Sequence, residues 1–196
     1  MAFLKLTTLF PFLLIYVFLF TSSPAHCNEI EDVILKEINT FRKNTNHTEF
    51  SHNPNADCFA DKVAESLKDE PCSRASDFFY QLGMVPRLPN YQQLFGKCNI
   101  KANTTKDAMM LPTCVPKLNK TLLIEDYTQS PYNKSLTNPS FTSIGVGSKD
   151  QWMVVLVTTN NSSGSFSSGS APSLLGLLHC LIGSFIGFIF IALLIN

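Results

Sequence analysis

The side chains able to do chemistry in this chain of 196 residues are few, and cysteine is the most telling. Cysteine occurs as Cys27, Cys58, Cys72, Cys98, Cys114 and Cys180. A zinc site is the first chemistry to test. No C-x-x-C pair exists, and the middle four cysteines stand 14, 26 and 16 positions apart, which does not suit a structural finger. Histidine is as sparse. His26 and His179 lie in terminal segments read below as removed, which leaves His47 and His52 in one loop. Two ring nitrogens fall short of the three or four groups that a metal site needs. Both read as surface residues, and no metal or cofactor is expected.

Catalysis by other groups finds no better footing. A serine hydrolase of the elbow type needs G-x-S-x-G, and the sequence has none. A catalytic cysteine needs a free thiol. Gly145-x-Gly147 lacks a third glycine and opens no helix, so it reads as a strand position that another backbone approaches closely. Glu65, Asp69, Glu70, Glu125 and Asp126 are plentiful carboxylates, but no pair stands out from solvated helix faces or loops. No catalytic residue is expected.

The elements that would position these groups lie between two apolar ends. Residues 1–27 read as a signal peptide. Lys5 supplies the positive n-region, and Ala25-His26-Cys27 offers small residues for cleavage after Cys27, with Ser23 as the rival. Twelve apolar residues, 9–20, are too few for a core of about 30 Å. Residues 174–195 carry no charge, and no Lys or Arg follows them. Upstream, 160–173 is almost entirely Asn, Ser, Gly, Ala and Pro. Small residues, a polar spacer and an apolar tail form the pattern of glycosylphosphatidylinositol (GPI) attachment. The expected attachment residue (ω) is Ser162, with Asn161, Ser163 and Ser168 as rivals. The expected organisation is a signal at 1–27, an extracellular domain at 28–159, a stalk and attachment region at 160–173, and a discarded tail at 174–196.

An exported chain is oxidised, so Cys58, Cys72, Cys98 and Cys114 are expected to form two disulfides, with all three pairings open. Six sequons mark expected N-glycosylation sites: Asn46, Asn103, Asn119, Asn133, Asn160 and Asn161. The whole chain has 15 basic and 15 acidic residues; losing Lys5 leaves the mature chain near −1. No basic stripe favours nucleic acid, and none holds the protein to a membrane, which falls to the lipid.

Within 28–159 the hydrophobic pattern starts helical. Ile30, Val33, Ile34, Ile38 and Phe41 recur on one face, and Arg42 lies with the polar residues between them. Asn53-Pro54 caps a second helix to about Lys68, with Ala56, Ala60, Val63, Ala64 and Leu67 inward. Residues 73–90 read as irregular. Short helices are expected over 91–97 and 104–110, the second starting at a Thr104/Asp107 capping box. The stretch to Asn138 reads as loop. Residues 141–147 and 151–159 read as a hairpin whose second strand is central and buried. Phe78-Phe79-Tyr80 and Met109-Met110-Leu111 read as core. Helices first and strands last imply an α+β layered domain.

Two blocks resemble the CAP superfamily of cysteine-rich secretory, antigen 5 and pathogenesis-related proteins. One is Ile38-Asn39-Thr40-Phe41-Arg42 with Asn53-Pro54-Asn55-Ala56. The other is Ser130-Pro131-Tyr132-Asn133-Lys134 followed by Phe141-Thr142-Ser143-Ile144-Gly145-Val146-Gly147. The full-length architecture also resembles a group of plant GPI-anchored proteins. The resemblance implies a CAP-like α-β-α fold with an antiparallel C-terminal hairpin. CAP domains often place two His and two acids around a cleft. Here Asn133 stands at the position of the second His, and Gly96-Lys97-Cys98-Asn99-Ile100 lacks the acid of the family's Gly-Glu-Asn segment. The family's metal site is therefore not carried over.

The expected protein is a GPI-anchored glycoprotein on the extracellular face of the plasma membrane. Its lipid would sit in the outer leaflet, and its domain would be a non-enzymatic module for a protein or lipid ligand. The alternatives are a CAP-like lipid or sterol carrier with an apolar cleft near Phe78, and a hydrolase with dispersed carboxylates.

Overall fold

The structure is a computed structural model that describes residues 28–84, 88, 90–129 and 131–168. The expected signal peptide (1–27) and the expected discarded tail (174–196) lie outside the described residues. The described chain opens with helix α1 (Glu29–Asn44), strand β1 (Ser51–His52) and helix α2 (Pro54–Leu67). A 3₁₀ turn at Cys72–Phe78, strand β2 (Tyr80–Gln81) and helix α3 (Tyr91–Lys97) follow. Next come strand β3 (Met109–Cys114), helices α4 (Lys120–Gln129) and α5 (Tyr132–Leu136), and the hairpin β4 (Ser143–Lys149) and β5 (Trp152–Thr158). The five strands form one sheet in the order β1-β4-β5-β3-β2. Only the β1–β4 pairing is parallel.

Strand β5 explains the layers. All seven of its residues are buried, because helices cover both faces of the sheet. Trp152, Val154 and Leu156 belong to a core shared with α2 and α3. Met153, Val155 and Val157 belong to a second core with Ile34 and Ile38 of α1, Leu123 and Tyr127 of α4, and Leu136 of α5. The result is the expected α+β domain in three layers, helix on sheet on helix.

The α2 layer is built on small residues. Asn53 takes an extended backbone, and its side chain accepts hydrogen bonds from the Asn55 and Ala56 amides, with Pro54 at the first helical position. The inward face then presents Ala56, Ala60 and Ala64, with Phe59, Val63 and Leu67 beside them. Opposite lie Gly145 and Gly147 of β4. A Cβ on Gly145 would stand 2.5 Å from the Asp57 nitrogen. A Cβ on Gly147 would stand 2.5 Å from the Ala60 carbonyl carbon and 2.7 Å from Asp61 Cα. Helix backbone thus lies directly on strand backbone, which only glycine permits.

Two disulfides tie the elements of this layer together. Cys58 of α2 joins Cys98, and Cys72 joins Cys114 at the end of β3. The links span 40 and 42 residues. Chain-entropy arguments put the effect of closing such a loop at about 4 kcal/mol.

Three segments depart from the sequence reading. The helix expected over 104–110 is a 3₁₀ turn at Ala102–Thr104 followed by β3. Pro112 does not end the element, because β3 lies beside β5 and Pro112 shares the parity of Ala108, whose carbonyl accepts the Leu82 amide on the β2 side. The missing N–H therefore faces away from β5 and removes no bond to it. The expected loop before Asn138 contains α4 and α5. Helix α4 buries only Leu123 and Tyr127, too narrow a stripe to stand out by periodicity. Arg42, expected on the solvent side of α1, is 2% exposed. Its Nε donates to the Thr48 carbonyl at 2.6 Å and its Nη1 to the Leu136 carbonyl, and the guanidinium lies 3.7 Å from the Phe50 ring centroid.

The segment 160–168, read from sequence as stalk, packs on the domain. The Phe166 ring is fully buried in the α2-side core, edge-on to Phe59 at 5.9 Å. The Phe166 amide donates to the Thr104 carbonyl at 3.0 Å, and the Lys101 amide to the Ser167 carbonyl at 3.2 Å.

Two substitutions separate glycine as a contact from glycine as a filler. Gly147→Ala should cost about 3 kcal/mol, because overpacking meets backbone that cannot move aside. Gly96→Ala, in α3 with nothing within 4 Å of the new Cβ, should gain about 0.5–1 kcal/mol through helix propensity. Urea unfolding of the secreted ectodomain measures both. Phe166→Ala should cost about 3–5 kcal/mol in the same assay, as expected for a buried aromatic.

Candidate functional site

Helix α2 also positions a polar cleft. Its face toward α1 carries Asp57 and Asp61, one helical turn apart. Four residues of helix rise about 6 Å, and two residues of strand advance about 6.6–6.8 Å. The two carboxylates therefore fall in step with alternate amides of an adjacent strand. Asp57 Oδ1 accepts the Val146 amide at 2.8 Å, and Asp61 Oδ1 accepts the Ser148 amide at 3.3 Å. Upstream on the same side of β4, the Ser51 amide donates to the Thr142 carbonyl and the Asn53 amide to the Ile144 carbonyl, each at 2.9 Å. Short β1 covers the beginning of this edge, and two side chains of α2 cover the remainder.

Around these carboxylates the polar groups converge. His52 Nε2 contacts Asp57 Oδ2. Ser148 Oγ donates to Glu31 Oε1 at 2.6 Å, and Asn28 Nδ2 reaches both Glu31 Oε1 and Ser148 Oγ at 2.7 Å. A cleft of about 490 Å³ opens here, lined on its charged side by Glu31, Asp61, Lys62, Glu65, Lys149 and Asp150. A neighbouring hollow of about 200 Å³ brings in Asp32, His52 and Asp57. Burial pushes the Asp57 carboxyl above its ordinary value, against the Val146 amide and His52, which lower it. Burial also raises Glu31, while the bonds from Ser148 and Asn28 oppose it.

The arrangement holds polar groups in fixed directions, but its central carboxylates already accept backbone or side-chain hydrogens. Asp57 and Asp61 close a sheet edge, and Glu31 joins the first turn of α1 to the hairpin. Ser51, beside His52, spends its hydroxyl on Ser143 Oγ at 2.8 Å. Among the described residues, no group of three or more His, Cys, Asp or Glu side chains is placed to hold a metal ion.

Of the residues singled out from sequence, the fold brings Glu65 to the cleft and His52 to the neighbouring hollow, and scatters the rest. His47 lies after α1, with Nδ1 3.2 Å from Thr45 Oγ1, and lines a separate hollow with Arg42. Glu65 pairs with Lys62 at 3.0 Å, Glu70 with Arg74 at 2.6 Å, and Asp126 accepts from Thr113 Oγ1 at 2.6 Å. Asn46, Asn103, Asn119, Asn160 and Asn161 are exposed. Asn133 is half-buried in α5, where its Nδ2 donates to the Thr128 carbonyl at 3.1 Å. Asn161 Nδ2 donates to Asp107 Oδ2 at 2.9 Å. The cluster near Phe78 is packing: Phe78 is buried and meets Trp152 edge-on at 6.3 Å. Met110 and Leu111 are fully buried, one in each core.

Sequence reasoning missed Glu31, Asp57 and Asp61. The available signal was the pairing of Asp-x-x-x-Asp, interleaved with Ala56 and Ala60, with the Gly145-x-Gly147 strand. That pairing becomes visible only once the helix is known to lie on that strand.

Comparison with known proteins adds a family to this geometry. The family model described as "Uncharacterized GPI-anchored protein At5g19230-like domain" matches residues 31–157. The Arabidopsis thaliana protein named "Uncharacterized GPI-anchored protein At3g06035" is 39% identical over 140 residues, covering 71% of this chain and 70% of that protein. Among solved structures, an extracellular SCP-domain protein from Bacillus anthracis superposes with a TM-score of 0.51 at 17% identity. The match covers 66% of this chain and 40% of that one, and it shows a shared fold alone. A cysteine-rich secretory protein from Staphylococcus aureus superposes less well, with a TM-score of 0.44, 13% identity, and 68% and 40% of the two chains covered.

The cleft makes a signed prediction about pH. Because Asp57 has a raised native pKa, the folded state binds its proton more tightly than the unfolded chain. The contribution of this group to stability is then full below the ordinary carboxylate value and falls as pH rises through the raised one. Asp57→Asn removes this dependence. The stability of the native protein relative to the variant should therefore decline as pH rises above the ordinary carboxylate value, as read from urea midpoints across a pH series.

Proposed function

The chain belongs to the family of GPI-anchored At5g19230-like proteins, and from that premise we propose that it is a lipid-anchored cell-surface glycoprotein whose CAP-like domain binds a ligand or partner and carries out no catalysis. One observation supports the absence of chemistry. The carboxylates and histidine that gather in the cleft are committed to holding β4, α1 and α2 together. Oδ1 of Asp57 and of Asp61 is taken up by the Val146 and Ser148 amides, which supports a structural role for both side chains.

The lining of the cleft supports a polar occupant. Carboxylates outnumber lysines there, and Asn28 and Ser148 add neutral hydrogen-bonding groups at its floor. A hydroxyl-rich or amine-bearing ligand, or a basic partner surface, fits such a lining better than an apolar chain. The outer leaflet of the plasma membrane is the site of anchorage in this reading, with the signal peptide removed. Sugars would sit on the exposed asparagines Asn46, Asn103 and Asn119, and on one of the adjoining pair Asn160 and Asn161.

Two measurements test the reading. Phosphatidylinositol-specific phospholipase should release the native protein from membranes; continued retention with the apolar tail still detectable by peptide mapping would refute the anchor. The purified ectodomain should show no turnover across panels of ester, peptide and glycoside substrates. Robust hydrolysis that disappears in Glu31→Gln or Asp61→Asn, with folding intact, would show an enzyme instead.

A further inference from the structure

We propose that the lipid is attached to Ser168 rather than to Ser162, an assignment that rests on the anchored reading above. Small-residue rules allow several positions in this region, and the nine-residue polar run 165–173 favours Ser162. The fold adds a constraint that those rules lack. Every residue after the attachment site leaves the protein, so nothing the domain needs can lie beyond it.

Much that the domain needs lies between Ser163 and Ser168. The Phe166 ring is fully buried and meets Phe59 in the α2-side core. Backbone groups of the segment bond along its length. The Asp107 amide donates to the Ser163 carbonyl at 3.0 Å, and the Phe166 amide to the Thr104 carbonyl at 3.0 Å. Asn53 Nδ2 donates to the Ser165 carbonyl at 3.1 Å, and Asn55 Nδ2 to the Phe166 carbonyl at 2.7 Å. The Lys101 amide reaches the Ser167 carbonyl at 3.2 Å, and Ser168 bridges to Ile100. Attachment at Asn161, Ser162 or Ser163 would discard the ring and leave the donors at Asn53, Asn55 and Lys101 without these acceptors.

Ser168 keeps every one of these contacts. It is exposed, and it is followed by Gly169 and Ser170, so the three positions that must be small are small. By the count that favours Ser162, the polar run after these three positions is only 171–173, before the apolar tail that begins at Leu174; the contacts of 163–168 outweigh this shorter spacer. In the reaction, the terminal ethanolamine amine of a glycosylphosphatidylinositol attacks the Ser168 carbonyl carbon. The new amide forms, the Ser168–Gly169 peptide bond breaks, and residues 169–196 depart with a protonated Gly169 amine. No oxidant or reductant is involved.

The test uses the full chain expressed in secretory cells. Phospholipase-released protein is digested, and the C-terminal peptide bearing the ethanolamine-phosphate remnant is mapped by mass spectrometry. The expected peptide ends at Ser168 and contains Phe166. A peptide ending at any other residue, Asn161, Ser162 and Ser163 included, overturns the assignment while leaving the anchor itself intact. Protein that stays in the membrane with residues 177–195 still attached overturns both the assignment and the anchored reading. Two variants give a second readout. Ser162→Tyr, at an exposed position, should leave the released fraction unchanged, and Ser168→Tyr should lower it at least about fivefold, because a bulky side chain is excluded from the attachment position. The reverse ranking overturns the assignment.

Discussion

The close seating of α2 on β4 is the constraint on which the rest of this structure depends. Gly145 and Gly147 bring helix backbone against strand backbone, and Ala56 and Ala60 are small enough to keep it there. Because the helix lies so low, Asp57 and Asp61 reach the amides of Val146 and Ser148. The edge is thereby closed without another strand. The same seating places Cys58 for its link to Cys98 and Asn53 for its bond to the C-terminal segment.

The polar cleft is a by-product of that packing. Carboxylates brought to a sheet edge by a helix are partly desolvated, which raises Asp57 and Glu31 above their ordinary values. Raised carboxylates in a cleft often mark catalytic groups. Here each has a structural hydrogen-bond partner, so the same shift is the cost of closing the edge. Glu31, His52, Asp57 and Asp61 thus resemble a catalytic cluster while each makes a contact that holds the fold.

The two helical layers are unequal in construction. The α2 side holds both disulfides, the stacked Phe59 and Phe95 rings 4.5 Å apart, and the buried Phe166. The α1 side relies on aliphatic packing and on Tyr127 and Tyr132, whose hydroxyls bond to carbonyls of the sheet. Burial pushes Tyr132 up to about 12, so it stays a neutral donor. Residues 163–168 lie on the braced side, where Phe166 fills a core position.

The sequence by itself determined the four paired cysteines as a set, the α+β order, the Asn53-Pro54 helix start and the buried central strand. These are local or compositional: a cap needs residues three apart, and a strand shows itself by a run of Met153 to Val157. The close approach at Gly145-x-Gly147 was legible too, although not what approaches. Tertiary structure alone decided which cysteines pair, that Arg42 is buried beneath Phe50, that Met109–Cys114 is a strand despite Pro112, and that Asp57 and Asp61 cap an edge. It also decided that Phe166, one aromatic in a run of Ser and Gly, is a core residue. Each of these depends on a partner many residues distant, and neither periodicity nor spacing records which distant surface a side chain will meet.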